Sequence, residues 1–323
     1  MGKAEVLSLL RDGEYVSGEE ISRALGVTRA AVWKAVQALR ADGCSIDSVP
    51  NRGYCLHRPE SALSDAAVHA LLEGCPWPIN VLPTVDSTNT YAKAQAALGA
   101  PHGSVYITGR QTGGRGRRGR TFVSPPGGVY LSVLLRPQRE AAELLWLTAA
   151  VAVAIRRAIR DCCPADVGIK WTNDLVIGKR KVCGILTELA AEADSGMLEY
   201  AVVGIGVNCF PPEGGFPEDL PEAGSVFAER PQGIEGRSQL AGAILNHFFK
   251  FYPNLAQRPF FEDYRKRSLV LGKEITVLEG NQTRTALALD LDQDFSLRVR
   301  EADGTERTLS SGEVRVRPAK DRC

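Results

Sequence analysis

The sequence predicts an α+β chain in three parts: an N-terminal helical module closed by a β-hairpin, a central segment forming a mixed sheet, and an all-β C-terminus. Three patterns carry this. Apolar residues recur at helical spacing up to Leu39, with Ser or Thr before the runs and Gly after them. In the middle, short apolar strands alternate with longer amphipathic runs. After Gly272, five short β-like runs follow one another within residues 274–317, separated by Gly, Asn, Asp or Ser. The chain has 323 residues, enough for two or three domains. The pattern changes set the expected domains at 1–60, 61–270 and 271–323.

Residues 4–10 read as an amphipathic helix ended near Gly13. Ser17 to Leu25 is a second helix, with Ser17 at the N-cap and Glu20 three residues on as a capping box, and Gly26 stops it. Thr28 caps a third helix, Arg29 to Leu39, whose Val32, Val36 and Leu39 share one face. Its polar side holds Arg29, Lys34, Gln37 and Arg40. Two β-like runs follow, Cys44–Val49 and Gly53–Leu56, joined through Pro50, Asn51 and Arg52. Three helices with a tight second-to-third turn, then a hairpin, resemble a winged helix-turn-helix. A basic third helix opening on Thr28 and Arg29 suits a major groove, and Arg52 suits a wing tip on phosphate. Thr28, Arg29, Lys34 and Arg52 are therefore the candidate DNA contacts. The competing reading is a small protein-interaction module. Residues 1–60 carry eight Lys/Arg and eight Asp/Glu, so bulk charge does not decide. Its distribution does: acids fill the first two helices, bases the third helix and the wing.

Residues 59–64 read as a linker, and Ala66–Leu72 as a short helix broken by Pro76-Trp77-Pro78. Ile79–Val85 is a strand. Asp86-Ser87-Thr88-Asn89 opens a helix from Thr90 to Leu98. One of these short polar residues suffices for a cap; the others are free to line a polar pocket. Val105–Thr108 and Val129–Leu135 are strands, and Glu143–Asp161 is a long amphipathic helix. Three apolar strands follow: Val167–Trp171, Val182–Leu189 and Leu198–Cys209, the first two joined through Thr172–Asp174 and Ile177–Arg180. Helices at Leu240–Phe251 and Phe260–Ser268 close the middle part. The five C-terminal runs (Glu274–Glu279, Arg284–Leu291, Phe295–Arg300, Glu306–Leu309, Glu313–Arg317) suit a small SH3-like barrel.

The chemistry concentrates between the two strands at 105 and 129. In Arg110–Arg120, glycines at 113, 114, 116 and 119 alternate with arginines at 115, 117, 118 and 120. So many glycines disfavour a helix, and the guanidinium charges exclude a buried strand, so the stretch is a loop. Glycines let backbone N–H groups approach an anion, and guanidinium forks bind phosphate oxygens in pairs. No acid stands between Asp86 and Glu140, whereas Lys93, Arg110, Arg136, Arg139 and the loop arginines all lie in that span. On a chain of net charge +1 this is a local concentration of positive charge. A disordered Arg-Gly segment for RNA is the alternative; the loop is short, occurs once and runs into an apolar strand. Lys170 sits in another apolar strand, where lysine needs an anionic partner.

Composition excludes other classes. Hydrophobic residues at 44% and charged ones at 24% are those of an ordinary globular chain. There is no apolar run long enough for a membrane span and no apolar core for a signal peptide at the start. Gly2 invites myristoylation, but Val6 stands where Ser or Thr is needed. The eight cysteines show no C-x-x-C and read as reduced core thiols of a cytoplasmic protein.

Gly114–Arg120, Lys170-Trp171-Thr172-Asn173-Asp174-Leu175, Gly184-Ile185 and Gly204–Asn208 together resemble the biotin–protein ligases. With the N-terminal module the chain resembles the bifunctional subgroup that also represses biotin genes, over its whole length and in domain order. The resemblance implies a central catalytic domain of the biotin/lipoate ligase type. It implies biotin contacts at Ser87, Thr88, Asn89, Gln111, Arg115, Arg117, Lys170, Gly184 and Ile185. ATP or adenylate contacts fall at Arg117, Arg118, Arg120, Phe122, Asn173 and Asn208, and catalytic roles at Lys170, Arg115 and Arg118. The chain departs from the family pattern in places: Thr172 replaces a proline, Phe122 a tryptophan, which weakens adenine stacking, and Ala288-Leu289-Asp290 stands where Gly-Ile-Asp is common. Residues 211–236 align with nothing.

The implied reaction adenylates biotin with ATP, then transfers it to a lysine of a biotin carboxyl carrier protein. Mg²⁺ would bridge phosphate oxygens, with Asp174 as the candidate protein ligand. The resemblance further implies operator DNA as partner and a homodimer when biotinoyl-AMP is bound, paired through a sheet edge between Val182 and Cys209. Two alternatives stand beside it. A lipoate-type ligase needs an apolar tunnel, which Ser87-Thr88-Asn89 with Gln111 does not suggest. A catalytically dead biotin sensor would not need Lys170 and every loop arginine.

Overall fold

The computed structural model describes the chain except for residues 1–4, 7–8, 11–14, 42–44, 51, 58–62, 138–145, 192–197, 213, 229–235, 280–281, 311 and 317–323. The described chain falls into two compact units, one within Met1–Ala62 and the other spanning Leu63–Arg230 and Gly236–Cys323.

In the first unit, helix α1 (Gly18–Leu25) starts at Ser17, whose Oγ accepts from the Glu20 amide at 3.0 Å, and stops at left-handed Gly26. Helix α2 (Arg29–Ala41) starts after Thr28, whose Oγ1 accepts from the Ala31 amide at 3.2 Å. Of the helix expected at 4–10, Glu5, Val6 and Leu9 are helical; Ala4, Leu7 and Ser8 lie outside the described residues. The hairpin has strands β2 (Ser45–Val49) and β3 (Gly53–His57), and a short strand not foreseen, β1 (Tyr15–Val16), pairs with β3. Ile21, Val32, Val36, Leu39, Ile46 and Leu56 form its core. Arg40 belongs to that framework rather than to a free basic face: its guanidinium donates to the Ile46 carbonyl.

The second unit is built on a seven-stranded sheet ordered β4-β5-β6-β10-β9-β8-β7. The strands are β4 (Ile79–Leu82), β5 (Ser104–Thr108), β6 (Val129–Leu135), β7 (Val167–Lys170), β8 (Asp174–Ile177), β9 (Arg180–Ala191) and β10 (Leu198–Val207). β4 and β5 are parallel and every other pair is antiparallel, so the sheet is mixed. β8 occupies what the sequence presents as a connection: its Leu175, Val176 and Ile177 stand between Asn173-Asp174 and Gly178-Lys179, which read as turns. Helix α3 (Asp65–His69) precedes the sheet. Helix α4 (Thr88–Ala97) packs Ala92 and Ala96 on Tyr106, Leu134 and Val202 on one face. Helices α5 (Leu147–Cys162) and α6 (Gly236–Phe251) cover the other. Residues 143–145, expected in α5, lie outside the described residues. β6 is buried on both faces, which is why it reads as an unbroken apolar run rather than an alternating one.

Helix α7 (Phe261–Lys266) leads to the C-terminal sheet of β11 (Glu274–Glu279), β12 (Gln282–Leu291), β13 (Leu297–Glu301), β14 (Glu306–Leu309) and β15 (Glu313–Val316). These five strands are antiparallel, ordered β14-β13-β12-β11-β15. Phe295 wedges this sheet onto Phe260, Phe261 and Tyr264. The described cysteines at 55, 75, 162, 163, 183 and 209 are free thiols, and burial pushes Cys209 up to about 12.

The expected sheet edge needs correction. β10 lies between β6 and β9 over Ala201–Val207, and the ends of the sheet are β4 and β7. Within β9, the far half has an open side. β8 pairs with β9 no further than Gly184, so Leu186–Ala191 has no strand beyond it among the described residues, and Leu189 is exposed there.

Thr28→Ala removes the cap of α2 and is expected to cost about 1 kcal/mol. Hydrogen exchange on the full chain checks it: amides in the first turns of α2 should exchange several-fold faster while those of β6 do not change. Unaltered exchange in α2 would show that the cap contributes nothing.

Candidate active site

The register of three adjacent strands creates the site. On one face, cross-strand rows read Tyr130–Gly206–Gly184, Ser132–Gly204–Leu186 and Leu134–Val202–Glu188. Three glycines therefore leave a trough in the sheet without side chains. A Cβ at Gly204 would stand 2.1 Å from Asn89 Oδ1, and one at Gly206 would stand 2.5 Å from the Phe122 ring, which also crowds Gly184. The trough admits the amide of Asn89 at one end and the ring of Phe122 at the other because the glycines leave room.

The start of α4 supplies the polar end. Ser87 caps the helix, so Thr88 and Asn89 occupy its first turn instead of preceding it, and all three are buried. Asn89 Nδ2 donates to Glu188 Oε2 at 2.8 Å and to the Leu186 carbonyl at 3.2 Å. Both amide protons are thus engaged, and Asn89 Oδ1 accepts from Ser132 Oγ at 2.6 Å. Gln111 Oε1 accepts from the Thr88 amide at 2.8 Å, and Gln111 Nε2 donates to Ser124 at 2.8 Å. Glu188 also holds Lys93 at 2.9 Å. Burial raises the Glu188 carboxyl, but hydrogen bonds from Lys93 and Asn89, with the charges of Lys93 and Arg115, hold it below its ordinary value.

The Arg-Gly loop closes on itself. Gly116 donates to the Arg120 carbonyl at 2.7 Å and Phe122 to the Gly114 carbonyl at 2.9 Å. A short 3-10 turn, Arg117–Gly119, forms its tip, with Arg118 in the left-handed region at φ 55°. Arg117 ties the loop to the neighbouring turn by donating to Thr172 Oγ1 and, at 3.0 Å, to Asn173 Oδ1. Asn173 in turn donates to the Ile185 carbonyl at 3.0 Å. Trp171 is 3% exposed and its Nε1 donates to the Phe295 carbonyl.

Ser87, Thr88, Asn89, Gln111, Arg115, Arg117, Arg118, Arg120, Phe122, Lys170, Asn173, Asp174, Gly184 and Ile185 all line one cleft. Asn208 is not among its lining residues. It is buried, donating to the Gly224 carbonyl at 3.0 Å, and the Val226 amide donates to its carbonyl. The described part of 211–236 is therefore anchored, and the start of β9 holds it as well. The Lys181 amide donates to the Glu222 carbonyl, and the Gly224 amide donates to the Lys181 carbonyl.

Several residues of the site escape a reading of the sequence. Lys181 lines the cleft with its ammonium 2.8 Å from Asp174 and 5.7 Å from the centre of the Phe122 ring. Ser132 and Glu188, which orient Asn89, were legible in principle, as lone polar residues in apolar strands on the face of Gly204. Gly312 and Val314, which also line the cleft, come from the C-terminal strands and carry no local signal. Among the described residues no three His, Cys, Asp or Glu side chains gather as a metal site.

In the first unit, Arg29 and Lys34 are exposed on α2, Thr28 is its cap, and the Arg52 guanidinium stacks 4.2 Å over the ring of Tyr15. Trp33, not expected as a contact, is 54% exposed on the turn between Arg29 and Gln37. No helix among the described residues is long and apolar enough to cross a membrane.

Comparison with known proteins agrees with this geometry. Residues 81–208 match the Biotin/lipoate A/B protein ligase family, residues 3–55 an HTH domain, and residues 270–317 the Biotin protein ligase C terminal domain. The bifunctional ligase/repressor BirA of Bacillus subtilis is 30% identical over 307 residues, covering 92% of this chain and 93% of that one. The biotin–[acetyl-CoA-carboxylase] ligase of Mycobacterium tuberculosis is 29% identical, covering 79% of this chain and 94% of its own. The biotin protein ligase of Aquifex aeolicus, solved in complex with biotin and ATP, superposes with a TM-score of 0.60 at 25% identity, covering 75% of this chain and 99% of that one. The chain belongs to the family of bifunctional ligase/repressors within the biotin/lipoate A/B protein ligases.

Proposed function

We propose that this chain is an ATP-dependent biotin ligase that also represses transcription by binding operator DNA. It converts biotin to biotinoyl-AMP and transfers the biotinoyl group to a lysine of a biotin carboxyl carrier protein in the cytoplasm. The observation that carries the ligase reading is one cleft with an oriented polar seat at one end and fixed cations at the other. In the seat, both Asn89 amide protons are engaged, and Oδ1, which accepts from Ser132 Oγ, has a second lone pair to offer a ligand N–H. Ser87 keeps its hydroxyl proton for a ligand carbonyl, since its oxygen caps α4. Paired N–H donors around a carbonyl are the pattern of a ureido ring.

At the other end, step one brings the biotin carboxylate to the α-phosphorus of ATP, anion to polyanion. Arg115, Arg118, Lys170 and Lys181 line the cleft and supply positive charge for that step. The carboxylate forms a bond to the α-phosphorus as the bond to pyrophosphate breaks. In step two the acceptor lysine attacks the mixed anhydride and AMP leaves. Mg²⁺, held mainly by phosphate oxygens, would neutralise charge; Asp174 can offer it one carboxylate, in competition with Lys181. Phe122, on the glycine floor, offers a ring face to the adenine, and Asn208 is carried as an adenylate contact by the resemblance alone.

For the repressor role, Arg29, Trp33 and Gln37 lie four residues apart on one side of α2, a face suited to base edges. A single such helix reads a short half-site, so tight binding requires a homodimer. The open half of β9, Leu186–Ala191, is the edge we propose for pairing once biotinoyl-AMP is bound. Sedimentation with biotin, ATP, both or neither checks this: only both together should shift monomer to dimer and tighten operator binding.

Biotin-dependent ATP–pyrophosphate exchange tests the ligase reading. Exchange with biotin and not with lipoate is expected; equal exchange with lipoate would overturn the polar-seat argument. Gly204→Ala should raise the KM for biotin on the order of tenfold or more by displacing Asn89, with kcat less affected. A wild-type KM would show that Asn89 does not hold the ligand. Arg118→Gly should leave the thermal midpoint unchanged, because glycine adopts positive φ freely. Loss of one charge-assisted contact, about 1.5–3 kcal/mol, should release biotinoyl-AMP and label bystander lysines. Lys170→Ala and Lys181→Ala should each lower the exchange rate by roughly a hundredfold; a variant exchanging at the wild-type rate removes that lysine from the mechanism.

A further inference from the structure

The helical layer on the far face of the sheet holds a second concave site. The end of α5 brings Arg156, Arg157 and Arg160 to it, and α7 with the residue after it brings Lys266 and Arg267. Five permanent cations thus line one depression beside only two carboxylates, Asp161 and Asp263. Both carboxylates already have partners. Asp263 receives Arg156 Nη1 and Arg157 Nε, each at 2.9 Å, and Asp161 lies 2.7 Å from His247 Nε2. Arg267 reaches outward to Asp166 at 3.0 Å, a solvated carboxylate at the rim. Arg160 and Lys266 have no ion-pair partner among the described residues, and both are exposed to the depression.

Arg156 is the second observation. It is 4% exposed, and its Nε–H is buried with no acceptor. A buried N–H without a partner is costly, and such a group calls for an acceptor, an ordered water or a bound anion. The cations also act on one another. The Arg156 guanidinium is pulled below its ordinary value first by burial, which Asp263 opposes, and then by Arg267 and Arg160. An anion among these groups would give Arg156 Nε an acceptor and relieve the repulsion together. Guanidinium forks on rigid helices suit tetrahedral oxygens, to which they donate in pairs.

We propose that this depression is a binding site for a small phosphate-type oxyanion, separate from the catalytic cleft. Arg160 and Lys266 contact it from the open side and Arg156 Nε from the buried side. The chemistry is shared by inorganic phosphate and by pyrophosphate, which the proposed reaction releases.

Calorimetry on the full chain tests this, titrating inorganic phosphate, and separately pyrophosphate, at an ionic strength fixed with chloride. Saturable phosphate binding is expected for the wild type and equally for Arg118→Gly. It should weaken by roughly tenfold or more in Arg160→Gln/Lys266→Gln, a variant that should keep biotin-dependent exchange. Tighter binding of pyrophosphate than phosphate, lost in the same double variant, would identify pyrophosphate as the ligand. If the double variant does not fold, Lys266→Glu alone carries the test by reversing one charge at an exposed position. Heat that does not saturate above the chloride control overturns the proposal. So does binding that survives in the helix variants and disappears in Arg118→Gly, which would put the anion in the catalytic cleft.

Discussion

A stretch of sheet without side chains governs the catalytic unit. Gly184, Gly204 and Gly206 fall on one face through the antiparallel register of β9 and β10, and Gly204 stands opposite Ser132 of β6. Any Cβ there would meet Asn89 or Phe122 at less than 3 Å. The backbone therefore becomes the floor of the cleft, and what lies on it is held against peptide groups instead of mobile side chains. The cost is local, because glycine weakens a strand interior. It is offset by the apolar layer on the opposite face, where α5 and α6 bury Val203, Ile205 and Val207 with β6.

The glycine floor also explains why the polar seat is oriented. With Asn89 lowered onto Gly204, its amide reaches both the Leu186 carbonyl and Glu188, and those two acceptors decide which end of the amide carries hydrogens. Glu188 remains a carboxylate because Lys93 faces it. Charge held on one side of the floor thus fixes hydrogen-bond polarity on the other. The cationic loop is tied down by a different route. Arg117 grips Thr172 and Asn173, and Asn173 grips Ile185, which belongs to β9. Seat and loop are both referred to the same strand, so their separation is set by one rigid element.

Much of this was legible in the residues, for identifiable reasons. Helices capped by Ser17 and Thr28 and the five C-terminal strands obey local rules, so their positions agree with the structure within a few residues. The Arg-Gly loop declared itself through charge without acids. Ser87, Thr88 and Asn89 declared themselves by exceeding what a cap needs. What failed needed partners distant in sequence. β8 is bounded by turn-forming residues that mask its apolar positions, and it is a strand because β7 and β9 flank it. The sheet edge was misjudged because strand order is not written in strand sequence. Lys181, between the connection Ile177–Arg180 and the apolar run from Val182, carries no local signal, and only the pairing with Asp174 and the closeness to Phe122 bring it into the cleft.

The contribution of the C-terminal strands follows from Trp171. It sits between Lys170, which lines the cleft, and Thr172, which Arg117 holds, and its indole is buried against the C-terminal sheet through the Phe295 carbonyl. Tyr264 holds the Thr172 carbonyl at 2.9 Å from the helix that leads into that sheet. The turn carrying Thr172 and Asn173 is therefore gripped from three sides: the Arg-Gly loop, β9, and the junction of α7 with the C-terminal strands. A proline at 172 would fix such a turn by its own ring. With Thr172 the hydroxyl accepts from Arg117 instead, so rigidity that a ring would supply covalently comes from a contact with the loop. The position of the turn and the position of the loop are then a single variable, and a ligand that orders one orders the other.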